Sequence, residues 1–430
     1  MTVPDPVELL RELIRFDTTN PPGNEEACIA HVESLLRSAG IQSRRYEKAS
    51  GRPNLVAGLP GGDADPLLLY GHVDVVTTAG QEWTHPPFDG VLEDGWVWGR
   101  GALDMKGGVA MLVAAFLRAH AEGVQLPGDV ILAVLSDEEG GGDVGARFLV
   151  EEHPELFAGV RHALGEFGGA TFHLGGRRFY PVQVAEKQIC WLRMRIRGRG
   201  GHGALPHRDG TMARLGRVLT ALDEARLPHH VTPVVRLWID SMSEAAPELK
   251  ALLDPETSDA VAAELGGATG LIFEAALRDT ANATIVRGGQ KINVIPAEIE
   301  LEVDARALPG WSPDDLISEL RSAIGDRVEI EVVRHDAGPA EPDLSLLETL
   351  GAVLSELDPE AITVPMLQIG VTDGRFFSRI GIQTYGFLPL DLPEGFDAFS
   401  LVHAADERVP ADSLRFGTEV LFRTLGRFGA

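Results

Sequence analysis

Apolar positions change their period several times along the chain, and each change marks an element. From residue 6 to residue 40 the chain reads as helix, with Val7, Leu10, Leu13 and Ile14 recurring on one face. Pro21, Pro22 and Gly23 interrupt the pattern, which resumes over 27–36 until Gly40 stops it. Runs 54–58, 67–70 and 130–135 are short, apolar and strand-like, and a helical run at 107–120 lies between the last two. Strand, helix, strand alternation with apolar strands predicts an α/β fold, a mostly parallel sheet covered by helices on both faces.

Near Gln183 the character changes. Over 188–197, Ile189, Trp191, Leu192, Met194 and Ile196 come close to alternation, as in a strand with one wet face. A helical pattern follows at 211–225, then strand-like runs at 234–239, 283–286 and 299–303. These predict a smaller α+β unit, residues 188–305, inserted into a larger domain made of 1–187 and 306–430. Helix and strand alternate again after Asp314, and no repeat or low-complexity stretch interrupts either part.

Composition sets limits on this picture. The 430 residues carry 38 Lys+Arg against 64 Asp+Glu, a formal charge of −26. That balance argues against nucleic acid as a partner, since a dedicated binder shows a basic face. A hydrophobic content of 44% and a charged content of 24% exclude a chain that is disordered throughout. Cys28 and Cys190 cannot build a disulfide framework, and unpaired thiols fit a reducing compartment, so a cytoplasmic location is expected. Residues 1–6 show no basic stretch leading into an apolar one, so no signal peptide is read there. The longest apolar run, 109–117, is too short to span a bilayer, and no membrane partner is expected.

Acids and histidines concentrate just after the strand-like runs. In Gly71-His72-Val73-Asp74, histidine and aspartate are two positions apart, so on an extended chain both point the same way. A carboxylate there can orient an imidazole, as a metal-bound histidine requires; a strand end with two polar residues gives the same pair. Asp104 lies in Gly101-Ala102-Leu103-Asp104-Met105-Lys106-Gly107-Gly108, a glycine-rich turn that opens a helix. It can reach a metal because glycines allow close backbone approach, or simply cap the helix. Asp137-Glu138-Glu139 follows an apolar strand, and such like charges are costly unless something positive is near. Open α/β sheets bind ligands at that edge. Gly165-Glu166-Phe167-Gly168 and His403-Ala404-Ala405-Asp406-Glu407 complete the set. Two histidines with three or more carboxylates suit a pair of divalent ions such as Zn²⁺. A spare carboxylate can then act as base on an activated water.

In this order and spacing the motifs resemble the dinuclear-zinc exopeptidase and deacylase family. Its members include aminoacylase, carboxypeptidase S, glutamate carboxypeptidase, acetylornithine deacetylase and succinyl-diaminopimelate desuccinylase. The likeness runs from Pro6 to the C-terminal segment. It implies that His72 and Glu166 hold one metal, Glu139 and His403 the other, and that Asp104 bridges both. It implies Asp74 as the group that orients His72 and Glu138 as the general base. The implied cofactors are two divalent ions, Zn²⁺ first, with Co²⁺ or Mn²⁺ as alternatives. The insert at 188–305 then corresponds to a lid or dimerisation domain, and a homodimer is expected.

Gly198-Arg199-Gly200-Gly201-His202-Gly203 matches the family's lid motif, which implies that His202 helps polarise the scissile carbonyl, from its own subunit or across a dimer. Residues 288–296 resemble the lid's closing strands. Arg306 in Asp304-Ala305-Arg306 and Arg375 in Thr372-Asp373-Gly374-Arg375 are candidates to hold a substrate carboxylate, which a guanidinium fork matches bidentately. A structural salt bridge is the alternative for each. Val371 departs from the family, which often carries glycine there.

The implied activity is zinc-dependent hydrolysis of the amide bond of an N-acyl amino acid or a small peptide. Stretches 21–25, 83–88 and 152–156 look closer to aminoacylase and carboxypeptidase S than to the biosynthetic deacetylases. Two other readings compete. A non-catalytic metal-binding homologue is opposed by the complete ligand set and by Glu138. A nucleotide-binding oxidoreductase is suggested by Gly198-x-Gly200-x-x-Gly203 with Asp223 about twenty residues on. Pro206 interrupts the helix start that reading needs, and Asp223 falls within a helical pattern. No Gly-x-Ser-x-Gly elbow and no His-Glu-x-x-His helix motif occurs.

Overall fold

Asp5 accepts the Val7 N–H (2.8 Å) and Pro6 takes the first helical position, so the helix Pro6–Ile14 starts as its sequence dictates. The computed structural model describes residues 3–325, 328–339 and 341–429. The first two residues of the stretch read for a signal peptide therefore lie outside it. The helix Lys106–Glu122 is buried almost all round, which fits its run of Ala, Val, Leu and Met, and Gly123 ends it in the left-handed region (φ 64°). It lies against the helices Pro6–Ile14 and Ala411–Leu425 and against the sheet. Removing the Phe116 ring from this fully buried position would cost about 3–5 kcal/mol.

Among the described residues the larger sheet has nine strands, one of them the short Phe172–Leu174 that pairs only with Arg177–Glu186. At its centre Gly128–Leu135, Ala64–His72, His162–Gly165 and Gln383–Gly386 lie side by side and parallel. Pro53–Leu59 and Ser43–Glu47 extend one flank antiparallel. On the other flank Arg177–Glu186 runs antiparallel to Gln383–Gly386, and Ala361–Gln368 adds to it in parallel. The expected α/β architecture with a largely parallel sheet is present. Parallel pairing puts the C-terminal ends of the central strands on one edge, where His72 stands level with Leu135. Everything that follows those strands therefore meets there.

The smaller sheet has the order Thr280–Gly288, Glu298–Ala307, Gln188–Arg197, Glu329–Asp336, all antiparallel. Leu192, Met194 and Ile196 face the helices Thr211–Glu224 and Pro313–Ile324. The opposite face is wet and laced with ion pairs, such as Arg195–Glu331 (2.7 Å) and Arg197–Glu298 (2.8 Å). The near-alternation of 188–197 reflects these two environments.

Three features depart from the expectations. Residues 234–239 are not a strand but part of the helix Pro233–Met242. Thr232 caps it (Oγ1 from the Val235 N–H, 3.4 Å), Pro233 starts it, and Val234, Val235, Trp238, Ile239 and Met242 form one buried stripe. That stripe, with Leu249, Leu252 and Phe273, joins the core of the larger domain and not that of the insert. Finally, the helix Pro313–Ile324 and the strand Glu329–Asp336 build the smaller sheet although they follow the boundary expected at Arg306.

Candidate metal centre

Three neighbouring strand ends supply the centre. Ala64–His72 delivers His72 at its last residue, Gly128–Leu135 leads into Asp137, Glu138 and Glu139, and His162–Gly165 leads into Glu166. His72 is 1% exposed and its Nε2 lies 3.1 Å from Glu166 Oε2 and 3.3 Å from Asp104 Oδ1. Its Nδ1 faces Asp74, 3.0 Å from the backbone oxygen and 3.4 Å from Oδ1. Asp74 also accepts the N–H groups of Glu138 and Glu139 (both 3.1 Å) and the Asn20 amide (2.9 Å). One buried carboxylate thus orients the imidazole and fixes the acidic loop beside it.

Across the site, His403 Nε2 lies 3.2 Å from Asp104 Oδ2 and 3.3 Å from Glu139 Oε2. The two oxygens of Asp104 therefore face two different histidines. Ligand atoms of His72, Glu138 and Glu166 lie within 4.8 Å of one another, and so do those of Asp104, Glu139 and His403. Asp104 is held from behind by Glu407, which is fully buried. That carboxylate accepts the N–H groups of Gly101 (3.1 Å), Leu103 (2.7 Å) and Asp104 (3.0 Å), and pairs with Arg100 (2.6 Å).

The electrostatics ask for a cation. Burial pushes the Glu166 carboxyl up to about 8, and the charge of Glu138 adds to it. Burial, with the charge of Asp104, raises Glu139 to about 7. Hydrogen bonds to Asp104 and Glu139 raise His403 to about 10. Burial works against the Asp104 charge, but hydrogen bonds from His403 and His72 outweigh it and lower its pKa. Glu138 is raised by burial against the pull of His72 and Arg375. Glu139 Oε1 is buried with no hydrogen-bond partner among the described residues. An orphaned carboxylate oxygen amid mixed nitrogen and oxygen donors fits divalent ions.

Of the remaining expected residues, His202 and Arg306 are not drawn into this cluster, and Arg375 touches it only through Glu138. His202 is exposed, pairs with Val294 in a two-residue ladder, and its Nδ1 accepts the Ala204 N–H (3.1 Å). The two lid-like stretches of the sequence thus meet each other. Arg306 grips Asp304 on its own strand (2.7 and 3.1 Å), the salt-bridge alternative. Arg375 is buried at the back of the acidic loop, donating to the Thr372 (2.6 Å) and Gly141 (3.0 Å) carbonyls, with Glu138 Oε1 at 3.6 Å. Asp223 lies inside the helix Thr211–Glu224, so the glycine pattern at 198–203 has no second strand to serve a nucleotide. The sequence reading missed Glu407 as an organiser, although it ends a motif already singled out. It also missed Asn20, which bridges Asp74 and Asp137.

Fold and site together define an α/β protein with two facing acid–histidine clusters on the C-terminal edge of a parallel sheet. The family model described as peptidase family M20/M25/M40 matches residues 68–427, and the chain belongs to that family. It is 27% identical to a probable carboxypeptidase S-like 2 of Dictyostelium discoideum, over 80% of this chain and 68% of that protein. It is 28% identical to the succinyl-diaminopimelate desuccinylase of Paracoccus denitrificans, over 100% and 99%. An M20 family metallo-carboxypeptidase from Sulfolobus solfataricus shares the fold with a TM-score of 0.70 at 16% identity, covering 99% of both chains. Identity does not separate the peptidase from the desuccinylase.

Proposed function

We propose that this chain is a dinuclear metallohydrolase that cleaves the amide bond of N-acyl amino acids or small peptides. The observation that carries the reading is Asp104, whose two oxygens face His72 and His403 from opposite sides. His72 and Glu166 would hold one divalent ion, Glu139 and His403 the other, with Asp104 between them. Zn²⁺ suits this donor set, and Co²⁺ or Mn²⁺ can use the same ligands. When bound, the ions supply Lewis-acid polarisation and lower the pKa of water. Glu138 then takes the proton of the attacking water on its carboxylate and delivers it to the leaving amine nitrogen. Asp74 keeps the His72 Nε2 lone pair aimed into the site by holding Nδ1.

Further support comes from the insert. The strand Thr280–Gly288 is at the edge of its sheet, with Ile285 and Val286 exposed, and Ile292 and Val294 are exposed beside His202. Such an edge suits pairing with a second copy, and we read the enzyme as a homodimer in which His202 completes the site of one subunit or the other. No helix among the described residues is long and apolar enough to cross a membrane. Cys28 and Cys190 are both free and buried, in keeping with a cytoplasmic enzyme.

The test is Glu138→Ala. The variant should keep both metals and hydrolyse a working substrate about 10²–10⁴-fold more slowly. Turnover close to that of the unaltered enzyme would remove Glu138 from the base role.

A further inference from the structure

Beside the centre opens a cavity of about 270 Å³, lined by Asp104 and Glu166 at the metal end. Its walls are apolar and come from separate parts of the chain. Met105 and Phe167 follow the two acids, and Leu388 and Leu390 follow the strand Gln383–Gly386. Ile272 reaches it from the helix Gly267–Ala276, one of those that pack on the larger domain. Phe399, 44% exposed, marks the end open to solvent. The other polar side chains that line it are Thr171, Gln368 and Asp397; no lysine, arginine or histidine is among the lining residues.

We infer that this cavity seats an uncharged, apolar group of the substrate and rejects an anionic one. The inference rests on the hydrolase reading and narrows it. A succinyl tail would bring its carboxylate among apolar walls beyond the metal end, near Asp397 and with no lysine, arginine or histidine on the lining to meet it. Each methylene buried in the cavity instead adds about fourfold to the specificity constant. The apolar group can be a longer acyl chain or a large side chain on the amino acid. The chemistry is shared, and a substrate series on each side of the scissile bond separates the two.

The experiment compares kcat/KM of the Zn²⁺-loaded enzyme on N-acyl-L-alanines from acetyl to octanoyl, on N-succinyl-L-alanine, and on N-acetyl amino acids from alanine to leucine and phenylalanine. One series should climb by about 10²-fold or more, and on the side that climbs the apolar group should exceed its anionic counterpart by about 10²-fold, N-pentanoyl over N-succinyl or N-acetyl-L-leucine over N-acetyl-L-glutamate. In Ala398→Trp, which narrows the cavity, the series that climbs should flatten. Phe399→Lys, at the exposed end, should shift that apolar-to-anionic ratio about tenfold toward the anionic group. Two flat series, or an anionic group cleaved as well as its apolar counterpart on the side that climbs, overturn the inference. Calorimetric binding of octanoate against succinate reads the cavity without turnover. Preferred binding of octanoate by a protein that hydrolyses nothing would sustain the cavity while the hydrolase reading fails; equal binding overturns the cavity.

Discussion

The two halves of the proposed metal centre meet at Asp104 but are built differently. His72 and Glu166 are 1% and 3% exposed, and His72 ends a strand in the middle of the sheet. Its Nδ1 is held by Asp74, which is itself tied to three further donors. The His403 side chain is 51% exposed and sits on a loop after the short helix Ala398–Leu401. Its backbone, at φ 64°, is fixed by the Gln81 amide on its carbonyl (2.8 Å), and its Nδ1 has no protein partner among the described residues. One half is thus preorganised by sheet and carboxylate, the other by a loop open to water. A ligand fixed from behind loses less freedom on binding metal, so the buried half should bind the tighter ion.

The largest effect should come from removing the carboxylate that holds Asp104, where both halves meet. Glu407→Ala would leave Arg100 buried without its partner and free three N–H groups, at a cost of about 3–5 kcal/mol. The denaturation midpoint should fall markedly, and both ions should leave together on dialysis. Glu407→Gln, which keeps the shape, should be milder. Loss of one ion alone would show that Asp104 is not the common pivot.

Next in size is the split between the halves. His403→Ala should retain one metal per chain after dialysis, read by elemental analysis, and that ion should belong to the buried half. Asp74→Ala should weaken the buried ion by about 10–100-fold. Among the described residues none plays the matching part behind His403. Retention of two ions by His403→Ala would erase the difference between the halves.

How much of this could be read in the residues follows from distance along the chain. His72 and Asp74 are two apart, and strand geometry alone aligns them. Glu138, Glu139 and Glu166 follow apolar runs, and parallel sheets gather such positions at one edge. The partners of Glu407, in contrast, are about 300 residues away, and no local pattern announces that its carboxylate will cap the Gly101–Asp104 turn. The helix Pro233–Met242 was misread for a local reason. Val-Val-Arg-Leu-Trp-Ile is rich in β-formers, and only the Thr232-Pro233 start and the apolar spacing through Met242 mark it as helix. Nor does the sequence separate residues that pack on the larger sheet from those of the smaller one, because both stripes are equally apolar.

Acidity gives a smaller contrast, between metal-free and metal-loaded protein. Without metal, Glu166 at about 8 and Glu139 at about 7 lie above their ordinary carboxyl value. The folded chain therefore holds protons that the unfolded chain has released between pH 5 and 7. Its stability falls as pH rises through that window. The thermal midpoint of the chelated protein should drop by a few degrees from pH 5 to pH 7, and loading with metal should flatten the slope, because the ions replace those protons. A midpoint that rises with pH in the chelated protein would contradict the assignment.

The smallest effect concerns the loop that serves both halves. Arg375 spends two nitrogens on the Thr372 and Gly141 carbonyls and lies 3.6 Å from Glu138. Asp336, at the end of the strand Glu329–Asp336 in the smaller sheet, faces it at 3.6 Å, and Arg334 from the same strand also reaches Gly141. The guanidinium therefore braces the Glu138–Gly142 turn where the two sheets meet. Lysine keeps the charge but not the planar fork. Arg375→Lys should lower kcat about tenfold with KM nearly unchanged and both metals retained, because Glu138 is less well held while neither ligand set is touched. If Arg375 instead gripped a substrate carboxylate, KM would carry the loss and kcat would hold, so steady-state kinetics on one N-acyl amino acid decides between bracing the turn and binding the substrate.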